Sequence, residues 1–313
     1  MLNNKQNMNY KNEKNMRKIY FFAAVALALA ACDNDDKYAD NEPVAAQITA
    51  NIGNSISSRA AGTAWATGDK IGITTFRENE QGVNESKYVN MEYTTENGEG
   101  KFTGTPMYFQ DAQAEVTFTA YYPFTGTEGT APAIIENNTR AEQQTLGNQP
   151  NFDYLWDSRV GKKGQPNINF EFAHKMSKIT MTFQDGEGTQ VNKIESYSFD
   201  GLVLEGTFNP ATGEAKAKEM DSETLTLNVE NVISGTARPS IIVYPQTTAG
   251  QVVLRIVKDG QTYKCELAFA GGELKAGTDY QYTITLNKTG AKVTKSEIHP
   301  WSLQTGTGDA TME

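Results

Sequence analysis

Few side chains in this sequence are equipped for covalent or acid-base chemistry. There are two cysteines, Cys32 and Cys265, and two histidines, His174 and His299. The histidines stand far apart, and the G-x-S-x-G, H-E-x-x-H and C-x-x-C patterns are absent, so hydrolase and zinc sites lack their usual parts. A glycosidase needs only two carboxylates, and no pattern in the sequence singles out such a pair. Neither an enzyme activity nor a cofactor or metal is expected, and both histidines read as structural. Cys265 alternates with Tyr263 and Leu267, which suits a small buried apolar group on a strand. The cysteine whose surroundings point to chemistry is Cys32.

Arg17 and Lys18 precede an apolar run, Ile19 to Ala31, that ends at Cys32. As a helix this run reaches about 20 Å, short of a bilayer core of about 30 Å, so it reads as a cleaved export signal rather than a membrane span. Met16 is then the expected start, and residues 1–31 are leader and signal peptide. Leu29, Ala30, Ala31 and Cys32 resemble the lipobox of bacterial lipoproteins, in which the cysteine thiol is acylated and the new amino terminus is acylated too. More than one chain matters, because a single acyl chain holds a protein at a membrane only marginally. The plainer alternative is an ordinary signal peptide that happens to end before a cysteine. With Cys32 lipidated, Cys265 has no partner and no disulfide framework is possible.

Asp33, Asp35 and Asp36 follow at once, so residues 32–43 read as a solvated acidic tether. An acidic patch at this place also resembles the surface-export signal of Bacteroidetes lipoproteins. The whole chain carries 28 basic and 38 acidic residues. Removing residues 1–31, with five basic and one acidic, leaves 23 and 37, a net charge of −14. No basic stripe interrupts this balance, which argues against nucleic acid as a partner.

The elements that must carry these residues are strands. Val116, Phe118, Ala120 and Tyr122 alternate with polar or smaller residues, as do Ile168, Phe170 and Phe172, then Ile179, Met181 and Phe183, and later Tyr280 to Leu286. Each pattern gives a strand one buried and one wet face. In residues 252–267 two alternating runs flank Asp259 and Gly260, which can take the positive φ of a tight hairpin turn. Gly68 and Asp69 read as turn residues ahead of a strand at Ile71. Outside the export signal no long apolar stripe of helical period appears. The expectation is an all-β chain of two tandem β-sandwiches, residues 44–165 and 166–313, with a seam at the polar stretch 161–167. Trp65, Trp156 and Trp301 lie in or beside apolar runs and read as core residues.

Several segments together resemble the fimbrillin-like lipoproteins of Bacteroidetes, the subunits of type V pili. They are SSRAAGTAWATGDKIGI (57–73), TAYYPF (119–124), FDYLWDS (152–158), FEFAHKMSKITMTF (170–183) and IHPW (298–301). The resemblance implies transthyretin-like sandwiches and a polymerisation mechanism. An outer-membrane lipoprotein precursor completes its first domain with its own N-terminal strand, and an Arg-specific, trypsin-like protease cuts after an arginine to release it. The vacated groove then takes a strand from another fimbrial subunit, an instance of β-augmentation. Carried onto this chain, the displaced strand is Gln47 to Ile52, with Ile48, Ala50 and Ile52 inward. The cleaved bond is Arg59–Ala60, at the first basic residue after Lys37. The bland alternative for Arg59 is a solvated loop residue. The C-terminal stretch SLQTGTGDATME has few large apolar residues with which to fill a groove.

Two functions of different class follow. One is a structural or accessory subunit of a surface fimbrium that supports adhesion, with a host glycan or protein as a possible ligand. The other is a lipid-anchored module that does not polymerise and binds glycan through exposed aromatics such as Tyr121, Tyr154 or Trp156.

Overall fold

A computed structural model describes residues 42–53, 64–78, 84–229, 232–248 and 251–301. Cys32, Arg59, Ala60 and the stretch after Trp301 lie outside the described residues. From Pro43 onward the described residues form one compact unit. It is all-β: its helical elements are short 3-10 turns, and the alternating runs of the sequence are strands.

The first strands in chain order are β1 (Gln47–Ile52), β2 (Lys70–Glu78), β3 (Asn84–Glu85), β4 (Met91–Thr94), β5 (Lys101–Gly104) and β6 (Val116–Tyr122). After β7 (Ile135–Asn138) come β8 (Leu155–Gly161) and β9 (Asn167–His174). In space the neighbours run β2, β4, β5, β1, β9, β8, β6, and β6 pairs back onto β2, so seven strands close into a ring, with β3 attached to the far end of β2. Inside it Ile48, Ile71, Ile73, Tyr93, Phe102, Phe118, Ile168, Phe170 and Phe172 form one apolar cluster. Burying side chains of this size is the main stabilising contribution, about 1.5–3 kcal/mol for each large one.

The later strands are β10 (Ser177–Asp185), β11 (Ile194–Leu202), β12 (Glu205–Asn209), β13 (Glu214–Ala217), β14 (Glu223–Asn228) and β15 (Ala237–Val243). They continue with β16 (Gln246–Thr247), β17 (Val252–Lys258), β18 (Gln261–Leu267), β19 (Glu273–Leu274), β20 (Thr278–Asn287) and β21 (Gly290–Pro300). A sheet in the order β15, β10, β20, β21 and another in the order β14, β11, β17, β18 share a second cluster that includes Phe183, Phe199, Leu254 and Ile284. The arrangement is sandwich-like. The expected hairpin is there: β17 and β18 join at Lys258 and Gln261 through Asp259 (φ 50°) and Gly260 (φ 72°).

The seam expected at 161–167 is a tight turn, bridged between Lys162 and Gln165, that joins β8 to β9. β9, expected to open the second sandwich, lies in the first sheet between β8 and β1. The chain leaves that sheet at Lys175 and Met176, where β10 begins a new one. Strands from both halves also mix, because β7 pairs with β12 in a three-stranded sheet with β13. A third cluster, including Tyr121, Tyr154, Phe208, Tyr244 and Trp301, joins residues from the two halves.

Candidate functional site

The residues that the sequence singles out for strand release meet the structure at β1. Its six residues alternate exposed and buried throughout, with Ile48, Ala50 and Ile52 pointing inward. On one side β1 runs parallel to β9 over its whole length, from Gln47 opposite Asn167 to Ile52 opposite Phe172. The Gln47 amide donates to the Pro166 carbonyl and the Gly53 amide to the Phe172 carbonyl, each at 2.8 Å. On the wet face Thr49 Oγ1 donates to Asn169 Oδ1 at 2.6 Å, and Asn51 Nδ2 donates to Glu171 Oε1 at 3.3 Å.

The other side is shorter. β5 runs antiparallel and pairs only Ile48 with Phe102 and Thr49 with Lys101. Further along, the Ala50 amide donates to the Gly100 carbonyl at 2.7 Å. The Ala50 carbonyl takes its hydrogen bond from a side chain, the indole Nε1 of Trp65, at 2.7 Å. Gly100 holds φ +81°, and a Cβ there would stand 2.4 Å from the Ala50 oxygen, so the close approach requires glycine.

Trp65 is 8% exposed. Its ring meets Phe102, Tyr122 and Phe172 edge-on, with centroids 5.0, 5.4 and 5.5 Å away. The turn that follows fixes it: Gly68 adopts φ +87°, and Asp69 accepts hydrogen bonds from the Ala66 amide and the Tyr122 hydroxyl. Burial raises the Asp69 carboxyl above its ordinary pKa. The turn reading of Gly68 and Asp69 and the core reading of Trp65 are therefore seen in the structure. The indole's bond to β1 is an addition, signalled in the sequence only by the rule that a buried indole N–H needs a partner. Past Ile52 the end of β1 borders a cleft of about 160 Å³, lined among others by Trp65, Tyr122, Asp153, Lys178 and Trp301.

The aromatic residues of the glycan-binding alternative do not form an exposed face. Tyr121 is 2% and Tyr154 1% exposed, both within the third apolar cluster. Trp156 is partly buried, donates from Nε1 to the Pro210 carbonyl and packs against Gly213. His174 is buried with Nδ1 2.8 Å from Asp153 Oδ1, as a structural histidine should be. His299 sits on β21, with Nε2 3.8 Å from Glu297. Cys265 lies on β18 against the second core, and burial pushes its thiol up to about 11. Among the described residues no group of three or more His, Cys, Asp and Glu side chains is arranged to hold a metal ion, and no helix is long and apolar enough to cross a membrane.

A family profile described as fimbrillin-like matches residues 58–301. The chain is 26% identical over 277 residues to Fim1C of Bacteroides uniformis, a curated protein proposed as a fimbrium subunit, covering 84% of this chain and 87% of the relative. Among solved structures, a proposed cell-adhesion protein of Bacteroides ovatus superposes with a TM-score of 0.72 at 29% identity, covering 84% of this chain and 99% of that one. Another from Bacteroides uniformis shares the fold, with a TM-score of 0.65 at 22% identity over 82% of this chain and 98% of its own.

Proposed function

The chain belongs to the fimbrillin-like family, and from that premise we propose that it is a fimbrial subunit that joins its neighbour by exchanging β1 for a strand of another subunit. The observation that carries the reading is the seat of β1, a strand at the chain's N-terminal side held between two others of the ring. Cleavage after Arg59 cuts the covalent link between β1 and the rest of the ring, because Arg59 lies between β1 and β2 in sequence. Before the cut β1 rebinds as a tethered segment, at an effective concentration of about millimolar for a short linker. After it, β1 competes with an incoming strand on equal terms.

Loss of β1 uncovers the β9 and β5 backbones and the apolar surface beneath Ile48 and Ile52. Those two side chains together account for about 3–6 kcal/mol of burial, which a donor strand with similar residues restores. Cys32 precedes the same cut, so processing also parts the ring from the proposed acyl anchor unless β1 stays seated. In this reading the residues before Arg59 form an anchoring and plugging segment, and those after it, the remaining ring strands and the sandwich-like sheets that follow, make the polymer. The partners are other fimbrial subunits, outer-membrane lipid through Cys32, and an Arg-specific protease.

Limited trypsin treatment of the native protein tests this. The expected result is one early cut after Arg59 and, on incubation with fimbrial subunits, ladders that resist mild denaturant. The Arg59→Ala protein should give neither. Ladders from Arg59→Ala protein that match the wild type, or a cut wild-type chain that keeps β1 and never assembles, overturn the reading.

A further inference from the structure

The exchange reading leaves open what sequence the seat accepts, and the surroundings of Ala50 answer it. Of the three inward residues of β1, the two outer ones are isoleucines and the central one is alanine, 1% exposed. In the parallel register Ala50 lies beside Phe170, while Ile48 lies beside Ile168 and Ile52 beside Phe172. Gly100 approaches Ala50 from the other side, and the Trp65 indole reaches its carbonyl. Trp65 belongs to the same apolar cluster, and its edge-on contacts with Phe102, Tyr122 and Phe172 fix the ring's position. Trp65 also follows Arg59 in sequence, so cleavage after Arg59 leaves it with the ring when β1 departs.

We propose that Trp65 is a specificity-determining residue of the vacated seat. It selects an incoming strand of a second subunit with bulky apolar, small and bulky apolar residues at alternate positions, and receives the small residue's carbonyl on its indole N–H. The Trp65 ring touches Phe102 and Phe172, the register partners of Ile48 and Ile52, and its Nε1 reaches Ala50 between them. A longer central side chain therefore has to displace that ring, and overpacking of that kind typically costs enough to weaken binding several-fold to a hundredfold. Without a strand in place the indole N–H loses the Ala50 oxygen, so the seat favours a ligand that replaces this acceptor. The inference rests on the exchange reading and adds to it the recognition pattern.

Two synthetic peptides test it on trypsin-cleaved protein freed of its β1 fragment: one with residues 44–53 of this chain, the other with Ala50→Leu. Binding is read by anisotropy of labelled peptide. The expected result is at least a tenfold preference for the alanine peptide. Trp65→Phe, which keeps a ring and removes the donor, should weaken the alanine peptide about fivefold to tenfold and leave the order of preference intact. Trp65→Ala should erase or reverse the preference. Equal binding of both peptides to the wild type, or an undiminished preference in Trp65→Ala, overturns the specificity role while leaving exchange standing. A folded, cleaved chain that binds neither peptide overturns both.

Discussion

The imidazole of His174 lies flat on the indole of Trp301, ring centroids 4.0 Å apart and planes 2° from parallel. His174 ends β9, and Trp301 follows β21, so the stack ties the last strand of the ring to the last described strand of the chain. The Trp301 amide donates to the Gly277 carbonyl at 2.7 Å, and the Lys178 ammonium stands 5.5 Å from the indole centroid. Replacing Trp301 by alanine removes a ring at the junction of two cores. Trp301→Ala should lose about 3–5 kcal/mol, read as a lowered urea midpoint with the slope unchanged.

Truncating the inward residues of β1 should loosen its seat without touching the rest of the ring. Ile48→Ala and Ile52→Ala are each expected to cost about 2–5 kcal/mol of local stability. Hydrogen exchange at the amides of β1 should quicken in these variants while that of β10 and β20 stays as in the wild type. After trypsin treatment the freed fragment should dissociate faster from them.

Gly100 tests the other flank. Gly100→Ala puts a methyl group against the Ala50 carbonyl and forces a positive φ on a residue that disfavours it. The expected loss is about 1–3 kcal/mol, with β1 exchange accelerated as in the isoleucine variants. Gly129→Ala, at a positive φ with nothing within 4 Å of the added carbon, is the control, and should show the strain alone.

Cys265 should resist iodoacetamide in the native protein at neutral pH, because only the thiolate reacts and burial raises the thiol to about 11. The folded chain retains this proton where the unfolded chain releases it, between the ordinary thiol range and about pH 11. Stability therefore falls as pH rises through that window, and Tyr93, raised by burial to about 12, continues the trend. Mass spectrometry of alkylated protein should show Cys265 modified promptly only in denaturant or strong alkali.

For the proposed acyl anchor, Cys32→Ala should shift the protein from the membrane fraction to the soluble one and abolish labelling by a fatty-acid analogue. Retention of both in the variant would remove Cys32 as the lipidation site.

Period-two patterning located individual strands well, and β1 and the hairpin at Asp259 and Gly260 coincide with the runs read from the sequence. Alternation says which face a residue occupies and nothing about its neighbour. The ring depends on partners such as Gln47 and Asn167, distant in the chain, so neither its closure nor β9's membership was legible. Tyr121 shows the same limit: Ala120 enters the ring core, while Tyr121, on the opposite face of β6, enters the third cluster. A strand with both faces covered leaves no wet aromatic. The link from Trp65 to Ala50 was hidden for a related reason, since it replaces a ladder bond with a side-chain one. Cys32, Arg59 and Ala60 remain readings of the sequence.

Closure of the seven strands bears on the chain's safety before assembly. An open sheet offers its outer strand as a template to any extended polypeptide, and crowded secretion routes are full of them. The seven ring strands all have partners on both sides, which denies that template within this sheet, and under the proposed exchange it appears only when β1 leaves. Under the proposed exchange, vulnerability and competence to polymerise begin with the same event, and its timing passes from the subunit to the proposed Arg-specific protease.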